Sequence, residues 1–476
     1  MNLRRSADAL GVGAAKLVVS LAVLGAGFVA VSDDDYARIV IAQRFAEAPH
    51  LDPSGTSWLP LPFWLYGTAF WLFGGSLAVA RVVAVLLGIA SMGLLYLAAR
   101  WLGAGRLGAW VGALVASLFP WSAWLGAAPV PEVPAAALSV LGMAALAQNG
   151  LRPRVLGAAA LAASCFCRYE GWPVALAFTT VSLYDAVRAS SSRQRVGLLL
   201  AGGLAVAPIG AWLLHGVFIH GEATFFWTRV AAYKNALGEA PSLSERFWSV
   251  PRSLLTGEPE LTVALVFVGM NRALRQRFAR PALAAGALVA FLMAGELSGG
   301  GPTHHAGRAV LPVWFLLALA VGSAVEARSA TPTSRPWAWV ALALALVGLG
   351  WLFRAGTPPA FADRADATAI GARARELGAP GLWIDTPDYS YLAVTAAFRR
   401  PTAAEPFDDH DPRHARPPDP FVSEGTLRSR VLARPRAWLV VQRDHVALAS
   451  LLGDVRAETP SYVLVVPRDR AVATER

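Results

Sequence analysis

Charge is scarce in this chain of 476 residues: Asp, Glu, Lys and Arg make up 16%, against roughly 25% in an ordinary soluble protein. With 55% hydrophobic residues and a mean hydropathy of +0.46, that shortfall excludes a water-soluble globular protein. Lysine is nearly missing, with only Lys16 and Lys234 among 42 basic residues. Together with abundant Ala and Gly, the preference for Arg is in keeping with a GC-rich bacterial genome. Cysteine is reduced to Cys165 and Cys167, two positions apart in one apolar run, where they do not face each other on a helix. They read as packing residues, since a metal site needs more ligands. A G-x-G-x-x-G loop following a strand is also lacking, which leaves no motif for a nucleotide donor.

The net charge of +10 invites a nucleic-acid reading, which its distribution excludes. Basic residues gather in short gaps between apolar runs, such as Arg4–Arg5, Arg152–Arg154, Arg188–Arg195 and Arg272–Arg280. These gaps alternate with acidic ones, as the positive-inside rule requires of a polytopic membrane protein. The alternation predicts about eleven spans: 12–31, 80–99, 107–125, 132–149, 155–167, 171–184, 196–217, 256–270, 281–297, 309–325 and 336–354. The N-terminus is then cytoplasmic and the C-terminus outside. The first run, with its basic flank and an A-x-A-like "AVS" near Ala30, also resembles a signal peptide. With many spans following, retention is the expectation. Residues 58–75, interrupted by Pro60 and Pro62, would break the alternation and read as an interfacial or re-entrant segment.

After about residue 355 the pattern changes. "GLWIDTP", "RAWLVVQRD" and "YVLVVPRD" are short strand-like runs, and "DRADATAIGARARELG" and "HVALASLLGD" read as helices. The fold class is therefore an α-helical polytopic membrane domain, residues 1–354, followed by a small extracytoplasmic α/β domain, residues 355–476.

This topology sends the unusual polar clusters to one side. Asp33, Asp34 and Asp35 follow the first span, with Tyr36 next to them. Glu132 opens the fourth span. Arg168 and Glu170 lie in "CRYEGW", the tight turn between two short helices. His304, His305 and Arg308 precede the tenth span. Taken singly, each has a structural explanation: helix-end solvation, a helix-start acid, an internal ion pair, loop histidines. Charges near the membrane are costly, about 2.5–3.5 kcal/mol by insertion scales, so four clusters on one side point to a shared polar cavity. Adjacent carboxylates raise one another's proton affinity, so one can act as a base while its neighbour orients a hydroxyl or binds a cation. The Arg308 donor fork suits a phosphate.

The order of these signals resembles the GT-C superfamily of membrane glycosyltransferases, which includes protein O-mannosyltransferases and bacterial aminoarabinose transferases. The resemblance rests on "DDDY" at 33–36, Trp58 and Pro60, then Phe73, Gly74 and Arg81. It continues through Pro131 and Glu132, "RYEGW" at 168–172, and His304 or His305 with Arg308 and Pro312. It implies transfer of a hexose or pentose from a polyprenyl-phosphate donor to an acceptor hydroxyl, with inversion, at the extracytoplasmic face of the bacterial inner membrane. Asp33 or Asp34 would be the base, and alignment of "D-D-x-Y" favours Asp33. Arg308, helped by Arg168, would neutralise the departing phosphate. Asp35, Tyr36, Glu132, Glu170, Lys234, His304 and His305 would complete substrate binding, with Arg229 a further phosphate candidate. The cofactor is left open, with Mg2+ or Mn2+ at Asp33 and Asp34 as the candidate. The partners implied are the lipid donor, the bilayer and a glycan, lipid or protein acceptor, and no nucleic acid. The competing reading is a flippase for lipid-linked sugars, which would place polar groups at mid-membrane depth.

Overall fold

The computed structural model describes residues 3–238, 241–299, 306–329, 336–355, 363–434 and 436–468. The chain forms two compact units. A membrane unit comprises Met1–Phe28, Ser54–Pro62 and Ala84–Pro359, and an α/β unit comprises Val29–Pro53, Phe63–Val83 and Ala360–Arg476.

In chain order the first helices are Leu3–Gly25 (α1), Asp33–Glu47 (α2), Leu61–Phe73 (α3), Leu77–Trp101 (α4), Arg106–Leu118 (α5) and Pro120–Leu125 (α6). Next come Glu132–Ala145 (α7), Leu151–Cys167 (α8), Gly171–Arg188 (α9), Ser192–His215 (α10), Phe225–Ala236 (α11) and Leu243–Gly257 (α12). Pro259–Met270 (α13), Arg272–Leu297 (α14), Ala306–Ala309 (α15), Leu311–Ser329 (α16) and Pro336–Ala355 (α17) follow. Among the described residues, six helices are long and apolar enough to cross a membrane, in α1, α4, α10, α14, α16 and α17. This is a multi-pass membrane protein.

Each of the eleven expected segments is helical, but α5, α7, α8, α9 and α13 have only 12 to 18 residues. That is short of the roughly 20 a bilayer requires. Two local expectations change. The first span ends at Gly25 instead of 31. Arg272–Arg280 is not a gap, because Asn271 caps α14 through the Leu274 N–H (3.2 Å) and the helix continues past Pro281. Residues 61–73 form a regular helix, with Pro62 in its first turn, where no N–H partner is lost.

Small residues let the membrane helices approach closely. Along α5 and α16, a Cβ on Gly322 would stand 2.1 Å from the Gly108 carbonyl oxygen and 2.5 Å from the Gly112 nitrogen. Ser164 on α8 bonds Ser139 of α7 (2.8 Å) and the Ala135 carbonyl (3.0 Å), tying these two helices together.

The α/β unit adds helices Ala365–Glu376 (α18), Tyr391–Phe398 (α19), Glu424–Leu432 (α20) and Val446–Leu452 (α21). Its strands are Leu382–Ile384 (β1), Ala404–Pro406 (β2), Trp438–Gln442 (β3), Gly453–Glu458 (β4) and Tyr462–Pro467 (β5). They form one sheet in the order β2-β1-β3-β5-β4. β1 runs parallel to β2 and β3, while β5 is antiparallel to β3 and β4. Leu427, Val431, Leu439, Val441, Leu452 and Val465 build the core on one face. Helix α2 docks in this same unit, where Gln43 Nε2 donates to the carbonyls of Gly75 and Ala396 (both 2.8 Å).

Candidate functional site

The membrane unit concentrates its charge at the turn between α8 and α9. Arg168 leaves α8 in an extended conformation (φ −154°, ψ 148°), and Gly171 N–H returns to its carbonyl at 3.1 Å. Only glycine fits at 171, since a Cβ there would meet Ser164 Oγ at 2.7 Å and the Cys165 nitrogen at 3.0 Å. This tight turn aims the Arg168 guanidinium at two carboxylates. Nε and Nη2 donate to the two oxygens of Glu170 (3.1 and 2.6 Å), and Nη1 donates to Glu132 Oε1 (2.7 Å). Glu132 is the first residue of α7, where the helix dipole favours an acid. Arg308 Nη1 approaches the same Glu132 oxygen at 3.9 Å. Glu132, Glu170 and Arg308 are all buried. Two guanidiniums thus face two carboxylates in a low-dielectric setting where unbalanced charge would be costly.

Neighbouring aromatics brace the turn. The Tyr169 hydroxyl donates to the Ser57 carbonyl (2.7 Å) and accepts from Trp212 Nε1 (3.1 Å), while its ring stacks on Phe226 at 4.4 Å. Tyr169 therefore anchors the loop that carries Trp58 and Pro60. Lys234 lies 3.5 Å from Glu296. His304 and His305 lie outside the described residues.

The α/β unit holds the acidic run, and there three identical neighbours have three different surroundings. Asp33 receives Nε and Nη2 of Arg364 on its two oxygens (2.8 and 2.9 Å). Asp35 is buried, and its Oδ2 accepts the Val31 N–H (2.9 Å), so it shapes the backbone entering α2. Arg81 donates to the Val29 carbonyl just ahead, fixing the same approach. Asp34, half-buried between them, has no hydrogen-bond or ion-pair partner among the described residues. Tyr36 is buried, and burial, followed by the charge of Asp35, pushes its hydroxyl up to about 12. It is therefore a neutral core phenol at any ordinary pH.

Sequence reading missed Arg364 and Asp388. Arg364 Nη2 also donates to Asp388 Oδ2 (2.9 Å), so one guanidinium joins the acidic run to the loop after β1. Its bonds to Asp33, outweighing burial, hold the Arg364 proton even more firmly than usual. Burial opposes the charge on Asp388, but Ser390 and Arg364 outweigh it and hold that carboxyl below the usual range. Nothing in the sequence links positions 331 residues apart.

For a divalent cation, the acidic run offers the oxygens of Asp34 without breaking an existing contact. Asp33 would have to give up Arg364. Among the described residues, neither unit by itself brings together three His, Cys, Asp or Glu ligand atoms within 4.8 Å of one another. The side chains present form no closed cage of the six or more oxygens that a hard cation prefers, and water or substrate would have to supply the rest.

Fold and site together define a multi-pass membrane protein with a buried ion-pair turn and an appended α/β unit holding an acidic helix start. The chain superposes on the crystal structure of ArnT from Cupriavidus metallidurans bound to undecaprenyl phosphate. The TM-score is 0.61 at 16% identity, covering 99% of this chain and 98% of that one. The apo-state structure of the same ArnT gives a TM-score of 0.60 at 16% identity, over 96% and 99%. ArnT, an aminoarabinose transferase, is a GT-C superfamily member, and the fold of this chain is the GT-C fold. No protein-family model matches the sequence, and no curated protein does.

Proposed function

We propose that this protein is an integral-membrane glycosyltransferase that moves a sugar from a polyprenyl-phosphate donor to an acceptor hydroxyl, with inversion at the anomeric carbon. The observation that carries the reading is Asp34, a carboxylate with no partner among the described residues, set between two aspartates that are each engaged. It stands at the start of α2 in a chain of GT-C fold. Asp34 takes the proton of the acceptor hydroxyl while that oxygen bonds to the anomeric carbon. The bond from the anomeric carbon to the phosphate oxygen breaks, and polyprenyl phosphate leaves with the electron pair. Asp33, fixed by Arg364, orients the acceptor. Within the membrane unit, Arg308 is the group proposed to bind a lipid phosphate, and Arg168 holds Glu132 and Glu170 in place. A divalent cation, where one takes part, would bind at Asp34. The lipid donor is supported by the relative solved with undecaprenyl phosphate, and by the lack of a nucleotide loop. Chemistry on the outer face, with the N-terminus cytoplasmic, is supported by the alternation of basic and acidic segments along the sequence.

The test uses the full chain in detergent. Undecaprenyl phosphate should bind, as read by native mass spectrometry, and Arg308→Gln should weaken binding about tenfold or more. Unchanged binding in that variant would remove Arg308 from the phosphate site. Movement of lipid-linked sugar across vesicles without any acceptor would replace the transferase reading with transport.

A further inference from the structure

A cavity of about 330 Å³ opens in the α/β unit, and the reaction scheme above does not use it. Its position follows from the sheet. β2 and β3 lie on opposite sides of β1 and all three are parallel, so the order of the strands reverses between β1 and β3. In open α/β sheets that reversal leaves a crevice beyond the carboxyl ends of the strands, where ligands bind. Pro387, from the loop after β1, and Gln442, at the end of β3, line the cavity, as do Ser461 and Tyr462 at the start of β5. The first turn of α18 closes it with Arg364 and Asp366, and Asp363 precedes them.

The lining specifies a ligand class. Among the described residues the lining holds two side-chain hydroxyls, an amide and two carboxylates, and its apolar members are two alanines and Pro387. Such a surface has little to offer a lipid chain but matches a ring of hydroxyl groups. It is also acidic. Asp363 and Asp366 border the cavity, and the one guanidinium among its described lining residues, Arg364, is already shared between Asp33 and Asp388. An anion would meet carboxylates with no uncommitted cation to balance it.

We propose that this cavity is a binding subsite for a hydroxyl-rich carbohydrate that is neutral or cationic, with Arg364 as the wall it shares with the acidic run. The assignment of that carbohydrate as the acceptor rests on the transferase reading; the binding itself does not. Arg364 is at once cavity wall and clamp on Asp33, so a sugar seated here lies one side chain away from the acidic run.

Saturation-transfer NMR on the full-length protein in detergent, with methyl α-glucoside, glucosamine and glucose 6-phosphate as probes, tests the proposal. Transfer should reach the first two, and reach the phosphate about fivefold less or lower. Ala365→Trp fills the cavity mouth without removing a charge or side-chain hydrogen bond, and should cut the signal about fivefold or more. Ala365→Phe replaces it if gel filtration shows the Trp variant misfolded. Equal transfer in wild type and the filled variant, no transfer to any probe, or strongest transfer to the phosphate would overturn the subsite. A wild type that binds these sugars yet never releases polyprenyl phosphate would overturn the transferase reading and leave the subsite standing.

Discussion

The two units treat ionised groups in opposite ways. In the membrane unit, Arg168 and Arg308 face Glu132 and Glu170, and the cluster is balanced, buried and closed. In the α/β unit, Arg364 serves two aspartates while Asp34 beside them is left without a partner among the described residues. The difference follows from solvation. A charge within a low-dielectric bundle is tolerated only when paired and hydrogen-bonded, whereas near water a bare carboxylate costs little and keeps its reactivity. The balanced cluster keeps two guanidiniums charged inside the bundle, and the unbalanced run leaves one carboxylate for acid–base chemistry.

The largest expected effect bears directly on that contrast. Asp34→Asn should lower sugar transfer by about 10²- to 10⁴-fold, the range for losing a general base, with expression and folding unchanged. Asp33→Asn, which keeps the shape but weakens the Arg364 clamp, should cost less. Near-normal turnover by Asp34→Asn in a transfer assay would move the base to Asp33 and erase the proposed division of labour. A second prediction concerns the closed cluster. Arg168→Met strands Glu132 and Glu170, and thermal unfolding in detergent should report a loss of about 3–5 kcal/mol, as for a broken buried pair. A melting temperature equal to wild type would mean the cluster is more hydrated than its burial indicates. The smallest effect is steric. Gly171→Ala forces a methyl against Ser164 Oγ and the Cys165 backbone, with an expected loss of about 1–3 kcal/mol in the same measurement.

Legibility in the sequence followed interaction range. Long apolar runs such as those in Leu77–Trp101 and Leu311–Ser329 are visible because run length and helix rise are local properties. The turn at 168–171 was also legible, because its partner residues lie side by side and its glycine has a steric reason. Strands β1, β3 and β5 were anticipated, but β2 and β4 were not. β2 is three residues at a sheet edge, and β4 is largely exposed, so neither leaves a hydrophobic signature. The clamp on Asp33 was illegible for a different reason. Arg364 sits among ordinary charged residues at a helix start, and only the fold reveals what it touches. The favoured base, Asp33, was chosen by alignment of letters, and its engagement by Arg364 shifts the proposal to its neighbour.

The run Asp33–Asp35 has a consequence for how relatives of this chain should be compared. Each step along a helix turns a side chain by about 100°, so three identical letters point in three directions. An alignment that slips by one position here keeps perfect identity and yet exchanges the clamped, the bare and the backbone-capping carboxylate. Substitution scores cannot see that error. Register across such homopolymeric runs has to be set by outside landmarks, and here the landmarks are Val31, whose N–H selects Asp35, and Arg364, whose fork selects Asp33.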